Sequence, residues 1–290
     1  MNMYKDSVMS RRPALFRFYL QKIDVRIIFV LIGLFIIITV YGIAAMGSLS
    51  YFDPETGREA LLKGNIWRSM YSLFADNIFF PIPLFLISMY CAYCICKNDS
   101  FEDTAKIRSG SYQKYIHAKL LLLLGINTAT SIGAFLLALL ISSFFFDIQW
   151  SWNPEFMEWV SYMRFYSVWR FSGITMVTYI SVLTCLSYIF GIALTKIRHH
   201  VIIPFAILIY LIFQSVISQL DPAINWIKIV KLFCMNTYLM IGERKLFAGV
   251  NLYEYSFLTV SVGVVVPLAA LLFIYTAILL GLKLKFLQEG

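Results

Sequence analysis

Cys91, Cys94 and Cys96 are the residues whose spacing first suggests chemistry, because Cys-x-x-Cys suits thiol redox or zinc ligation. They lie within an apolar run, with no second pair and no histidine beside them. Cysteine there behaves as a small apolar residue. Cys185 falls in another apolar run and Cys234 in an outer segment, so no disulfide pair emerges. His117, His199 and His200 are the only histidines. No His-Glu-x-x-His and no carboxylate–histidine pair occurs, so a metal site is not expected. His199 and His200 follow Lys196 and Arg198, and read as a basic interfacial anchor. The chain has no G-x-x-x-x-G-K-[ST] phosphate loop, no Ser-His-Asp set and no nucleophile elbow. No catalytic residue, metal or cofactor is therefore expected in this chain. If it moves something uphill, the energy enters from another chain.

The elements that would position any site are dictated by composition. The chain has 290 residues, 60% of them hydrophobic and 14% charged. Its mean hydropathy is +0.76. Soluble domains are about 45–50% apolar and about 25% charged. A soluble core of this length cannot hide so much apolar surface. Disorder and a disulfide-stapled fold are excluded by the same composition. A membrane span needs about 20 apolar residues. Six stretches qualify, at 27–49, 78–96, 120–146, 171–195, 201–218 and 257–282. The first is too long for a signal-peptide core and has no small-residue cleavage site after it, so it reads as a retained span. An all-α integral membrane protein follows, with residues 1–26 as a cytoplasmic amphipathic helix and 27–290 as one six-span domain.

Charge sets the orientation. The net charge of +8 could suggest nucleic acid in a soluble protein. Here its distribution points to topology, and no nucleic-acid partner is expected. With a cytoplasmic N-terminus, the inner segments carry 15 of the 24 Lys and Arg, and the longer outer segments carry 9. Excess Lys and Arg mark cytoplasmic loops, so a multi-pass protein of the cell membrane with both termini in the cytoplasm is expected. Trp67, Trp150, Trp152, Trp159, Trp169 and Trp226 all fall in or beside outer segments. They suit an aromatic belt at the interface with lipid. The other reading is a stacking surface for an aromatic or amphipathic substrate.

The six spans contain no Asp, Glu, Lys, Arg or His. Buried ionisable groups mark proton and ion coupling, so ion-coupled transport is disfavoured. The loop at 97–119 is the most informative segment. Ser100 or Asp103 can N-cap a helix over about 101–108. Ser109-Gly110-Ser111 would stop it, and Ser111 would cap a second helix from Tyr112 into the third span. Such a helix would act as a lever on the bundle.

The run Glu102-Asp103-Thr104, Ile107, Ser109-Gly110-Ser111, Tyr115-Ile116 and Lys119 resembles the coupling-helix loop of ABC exporter permeases of the six-span type-2 class. The resemblance implies that Glu102, Asp103, Thr104, Ile107, Arg108, Ser109, Ser111 and Tyr112 meet a separate ATP-binding subunit. Tyr112 stands where the family usually has a basic residue, which leaves Lys114 or Arg108 as the charge partner. The N-terminal run Arg11-Arg12-Pro13 to Lys22 resembles the family's connecting helix. Pro13 suits a first turn, and Leu15, Phe18, Tyr19 and Ile23 share a face. Arg12, Arg17 and Lys22 would anchor it in headgroups, clasp the ATPase, or both. Two short apolar runs at about 224–233 and 238–241 match the family's paired outer helices, either re-entrant or lying on the surface. The sequence-level likeness covers the 97–119 loop and the N-terminal helix. Span count and loop order extend it over nearly the whole chain.

The family implies a second permease, the same or homologous, and a pathway between the second and fifth spans. Pro81, Pro83 and Pro204 would kink those spans. Carried over by span, the candidate lining is Phe79, Phe80, Phe85, Met89, Phe205, Tyr210, Phe213 and Gln214. An apolar aromatic lining suits an amphipathic peptide, drug or lipid-like substrate. Thr175, Thr178, Ser181, Thr184 and Ser187 of the fourth span read as helix packing. The expected function is the permease subunit of an ATP-driven exporter, with ATP and magnesium in the partner. The alternative is a non-transporting sensor or assembly partner with a Trp-rich outer surface. A lipid-modifying enzyme is weaker, because no convergent polar set is present.

Overall fold

A computed structural model describes residues 17, 19–47, 50–53, 58–61, 65–76, 79–97, 112–146, 148, 150–152, 167–196, 202–220, 225–231, 234–239, 265–278 and 280. Its helices are α1 Val25–Gly47, α2 Ile66–Tyr71, α3 Pro81–Cys96, α4 Tyr112–Ser143, α5 Val168–Lys196, α6 Ile202–Gln219, α7 Asn225–Lys231 and α8 Met235–Leu239. A last apolar helix, α9, covers Val265–Ile278. Three helices are long and apolar enough to cross a membrane, at Val25–Ala44, Lys114–Ser143 and Val168–Leu194. The apolar helices at Pro81–Cys96, Ile202–Ile217 and Val265–Ile278 are shorter.

Local chemistry explains several helix starts. Asp24 caps α1, its Oδ1 accepting from the Arg26 amide at 2.9 Å. Asn65 caps α2 by accepting from the Arg68 amide at 2.9 Å. Ser167 caps α5 through the Arg170 amide at 3.2 Å. Pro81 and Pro83 do not kink a span. They occupy the first turn of α3, where a missing N–H costs nothing. Pro204 likewise sits in the first turn of α6. The hydroxyls of Ser172, Thr178, Ser181 and Ser187 donate to carbonyls four residues back. That is how a polar stripe is tolerated in an apolar helix.

Two features depart from the expectation. The chain is not wholly helical, because β1 Ser50–Asp53 pairs antiparallel with β2 Arg58–Leu61. Strand residues Tyr51 and Phe52 favour a pleated ladder over a helix. The segment from Asn65 to Phe74, read from sequence as part of an outer loop, is packed inside the bundle. Ile66, Trp67, Met70, Tyr71, Leu73 and Phe74 are all buried. After α2 the chain makes one π-helical turn, Ser72–Asp76. Phe74 then lies within 4.5 Å of the Phe80 ring and 5.3 Å of Phe135 and Tyr179. Hydrophobic runs of six to nine residues are too short to register as spans, yet they fill a bundle end.

The bundle core is α3, α4 and α5, packed on one another, with α1 against α3 and α4. One apolar cluster surrounds Phe74, Phe80 and Tyr179 at the tryptophan end. A second joins Tyr19, Ile95, Tyr115, Leu123, Tyr188 and Ile203 at the opposite, basic end.

Candidate functional site

The basic end is where the described residues gather the pieces expected to receive energy. α4 starts at Tyr112 and continues unbroken for 32 residues. At 1.5 Å per residue it is about 48 Å long, well beyond a hydrocarbon core of about 30 Å. It is therefore long enough to cross such a core with several turns to spare. Lys119 in its first turns is buried, and its Nζ stands 4.6 Å from the Tyr115 ring centre and 5.2 Å from that of Tyr19. Lys22 Nζ lies 5.4 Å from the Tyr19 ring. Cations over aromatic faces are held by the ring quadrupole. The Asp24 amide donates to Tyr90 Oη on α3 at 3.1 Å. The N-terminal segment is thus fastened to both α3 and α4. Arg17 and residues 19–21 are helical, and Arg17 is exposed. His117, one turn into the same end, pairs through Nδ1 with the Tyr275 hydroxyl of α9.

Glu102, Asp103, Thr104, Ile107, Arg108, Ser109 and Ser111, like Arg12, lie outside the described residues. Tyr112 is the first residue of α4. The lining candidates divide. Phe80, Phe85, Met89 and Gln214 are buried, Tyr210 is half-buried, and Phe79, Phe205 and Phe213 are exposed. Phe85 and Tyr210 meet with ring centres 5.5 Å apart. Phe80 turns instead into the core, 4.9 Å from Phe35.

One polar constellation escaped the sequence reading. Ser88 on α3, Asn127 on α4 and Ser187 on α5 are fully buried together. The Asn127 amide donates to Ser187 Oγ at 3.0 Å, and Ser88 and Ser187 hydroxyls lie 2.6 Å apart. Ser88 donates to Asn127 Oδ1 at 2.7 Å. Ser187 Oγ also lies 2.8 Å from the Leu183 carbonyl, so its single proton goes either to that carbonyl or to Ser88 Oγ, and in the second arrangement the three side chains close a ring. Such rings reinforce themselves in a medium of low dielectric. The signal was available, because Asn127 is the only Asn in the six apolar stretches.

The tryptophans do not form a uniform belt. Trp67 and Trp152 are buried in the core cluster. Trp150 and Trp169 are exposed and stacked at 5.4 Å, and Trp226 is exposed. Trp159 lies outside the described residues. The five cysteines are all free thiols. Burial pushes the Cys234 thiol up to about 11, against the opposing pull of nearby Lys231. Among the described residues, no group of three or more His, Cys, Asp or Glu could hold a metal ion.

Against protein-family models, curated proteins and solved structures, the chain gives no match.

Proposed function

We propose that this chain is the membrane subunit of an ATP-driven ABC exporter that moves an amphipathic peptide, drug or lipid-like substrate. In this reading six helices cross the cell membrane, both termini are cytoplasmic, and a separate ATPase supplies ATP and magnesium. A second permease, the same or homologous, completes the pathway. The observation that carries the proposal is the first turn of α4. It follows directly on the coupling-type loop, runs without a break into a candidate span, and is clamped through Lys119 to Tyr19 of the connecting-type segment. A push on such a loop would reach α4 and the N-terminal segment together.

The test is co-purification with candidate ATPases before and after Ile107→Glu. A charge in the middle of the contact should abolish association. Unchanged association, together with undiminished substrate-stimulated ATP hydrolysis, would falsify the coupling role. The exposed Trp150–Trp169 pair favours a second reading, a sensor or assembly partner that presents this surface. A P-loop ATPase encoded beside this chain would favour export over that reading.

A further inference from the structure

Ser88, Asn127 and Ser187, buried between α3, α4 and α5, hydrogen-bond one another. The buried carboxamides of α6 and α8 do not. Gln214 on α6 is fully buried, and neither Oε1 nor Nε2 has a hydrogen-bond partner. Asn236 on α8 is 2% exposed, and neither Oδ1 nor Nδ2 has one. Thr175 Oγ1 on α5 and Ser131 Oγ on α4 are further buried orphans, each of a single hydroxyl rather than a whole carboxamide. α8 packs against both α5 and α6, and the Met235 amide donates to Tyr210 Oη, one turn before Gln214, at 3.1 Å. At this seam Met235 and Leu239 of α8 are buried in the apolar cluster, and Lys231, a buried cation nearby in the chain, is engaged by the Leu220 carbonyl at 2.7 Å.

Leaving a buried amide unpaired costs free energy, and the fold avoids that cost a few helices away. The contrast marks the seam as a place where a ligand group completes the hydrogen bonds. Each carboxamide offers two N–H donors and one carbonyl acceptor, and neither carries charge. A phosphate or carboxylate only accepts, which would leave both carbonyls unpaired. An ammonium only donates, which would leave both NH2 groups unpaired. A sugar brings more hydroxyls than this apolar seam can satisfy. A peptide bond donates once and accepts once, and its neighbours can be apolar.

We propose that Gln214 and Asn236, with Thr175, form a binding site for a ligand bearing peptide bonds, admitted when α8 parts from α6. This rests on the export reading and narrows its substrate class to peptides. The probe is an uncharged amphipathic peptide carrying one diazirine side chain, tested on the full chain in lipid nanodiscs. Its control is the same sequence with esters replacing alternate amides. Photolabelling of 202–219 and 235–239 is expected from the peptide, and at least about tenfold less from the ester, the loss that follows from one or more missing hydrogen bonds. Gln214→Leu and Asn236→Leu should each lower peptide labelling to a similar degree. Equal labelling by peptide and ester, labelling unaffected by both substitutions, or no labelling of these stretches overturns the site, whose amides then hold water only. The ester comparison needs no variant, so a misfolded substitution does not blunt it. Neither ATP nor an ATPase is present, so this result is independent of the Ile107→Glu association test.

Discussion

Asn127 joins three helices with one side chain. Its amide serves Ser187 and its carbonyl serves Ser88. Asn127→Ala should therefore take one hydrogen bond from each of Ser88 and Ser187 and destabilise the protein by about 1–3 kcal/mol. Replacing all three together, Ser88→Ala, Asn127→Leu and Ser187→Ala, should recover most of that loss, because no orphan remains. Thermal unfolding in detergent measures both. If the triple variant is no more stable than Asn127→Ala, the ring is not what holds these groups. Cys234 offers a second residue-scale test outside the spans. Its thiol is buried and its ionisation is displaced upward to about 11. A free thiol ionises near about 8.5. Maleimide should thus label Cys234 at neutral pH far more slowly than an exposed cysteine, with the rate still climbing at alkaline pH. The sign for stability follows. Between the unfolded and folded values the unfolded chain loses its proton first, so raising the pH through that window favours unfolding. Labelling at the rate of an exposed thiol would contradict the burial. Asn127 and Gln214 were both legible as lone amides in apolar stretches. Their fates were not, because one finding partners and the other none depends on which helices meet.

Helix existence was legible from apolar periodicity and length, since six apolar stretches in the sequence became α1, α3, α4, α5, α6 and α9. What escaped was the role of short segments. Pro81 and Pro83 look like kinks inside a 19-residue apolar run, but the helix starts at Pro81 and the residues before it turn away. Trp67 looked like an interfacial anchor because it follows polar residues. In the structure, α2 carries it into the core beside α4. Periodicity over six residues cannot announce that choice. Close approach between helices was also illegible, and it can be tested. A Cβ on Gly191 of α5 would stand 2.9 Å from Cys96 Sγ on α3. Gly191→Ala should force the two helices apart, at about 1–3 kcal/mol. Cys96→Ala in the same chain removes the clashing sulfur and leaves only ordinary contact. A double-mutant cycle on unfolding midpoints should show strong coupling. Additive effects would mean that the helices do not touch there.

At the scale of the whole molecule, the two ends of the bundle differ in chemistry. One end carries Lys22, Lys97 and Lys119 against tyrosine rings. The other carries Trp150 stacked on Trp169, with Trp67 tilted against the same ring. The Tyr19 ring fastens the N-terminal segment at the basic end, so Tyr19→Leu should loosen that segment and speed tryptic cleavage at Arg17 and Lys22, while Tyr19→Phe, which keeps the ring, should not. Equal cleavage of the two variants would show that the ring face is not the tie. The same asymmetry predicts sidedness. Lys114 is exposed near the start of α4 and Trp150 is exposed just beyond its end. Between them runs a helix about 48 Å long at 1.5 Å per residue, enough to put them on opposite faces of a bilayer. Lys and Arg are retained on the cytoplasmic side during insertion. With the five native cysteines replaced, Trp150→Cys should react with a membrane-impermeant maleimide on intact cells. Lys114→Cys should react only after the membrane is opened. The reverse pattern would put the basic end outside, where no ATPase could reach the start of α4, and would overturn the orientation and the export reading together. Labelling of both positions on intact cells would mean that α4 does not cross the membrane at all.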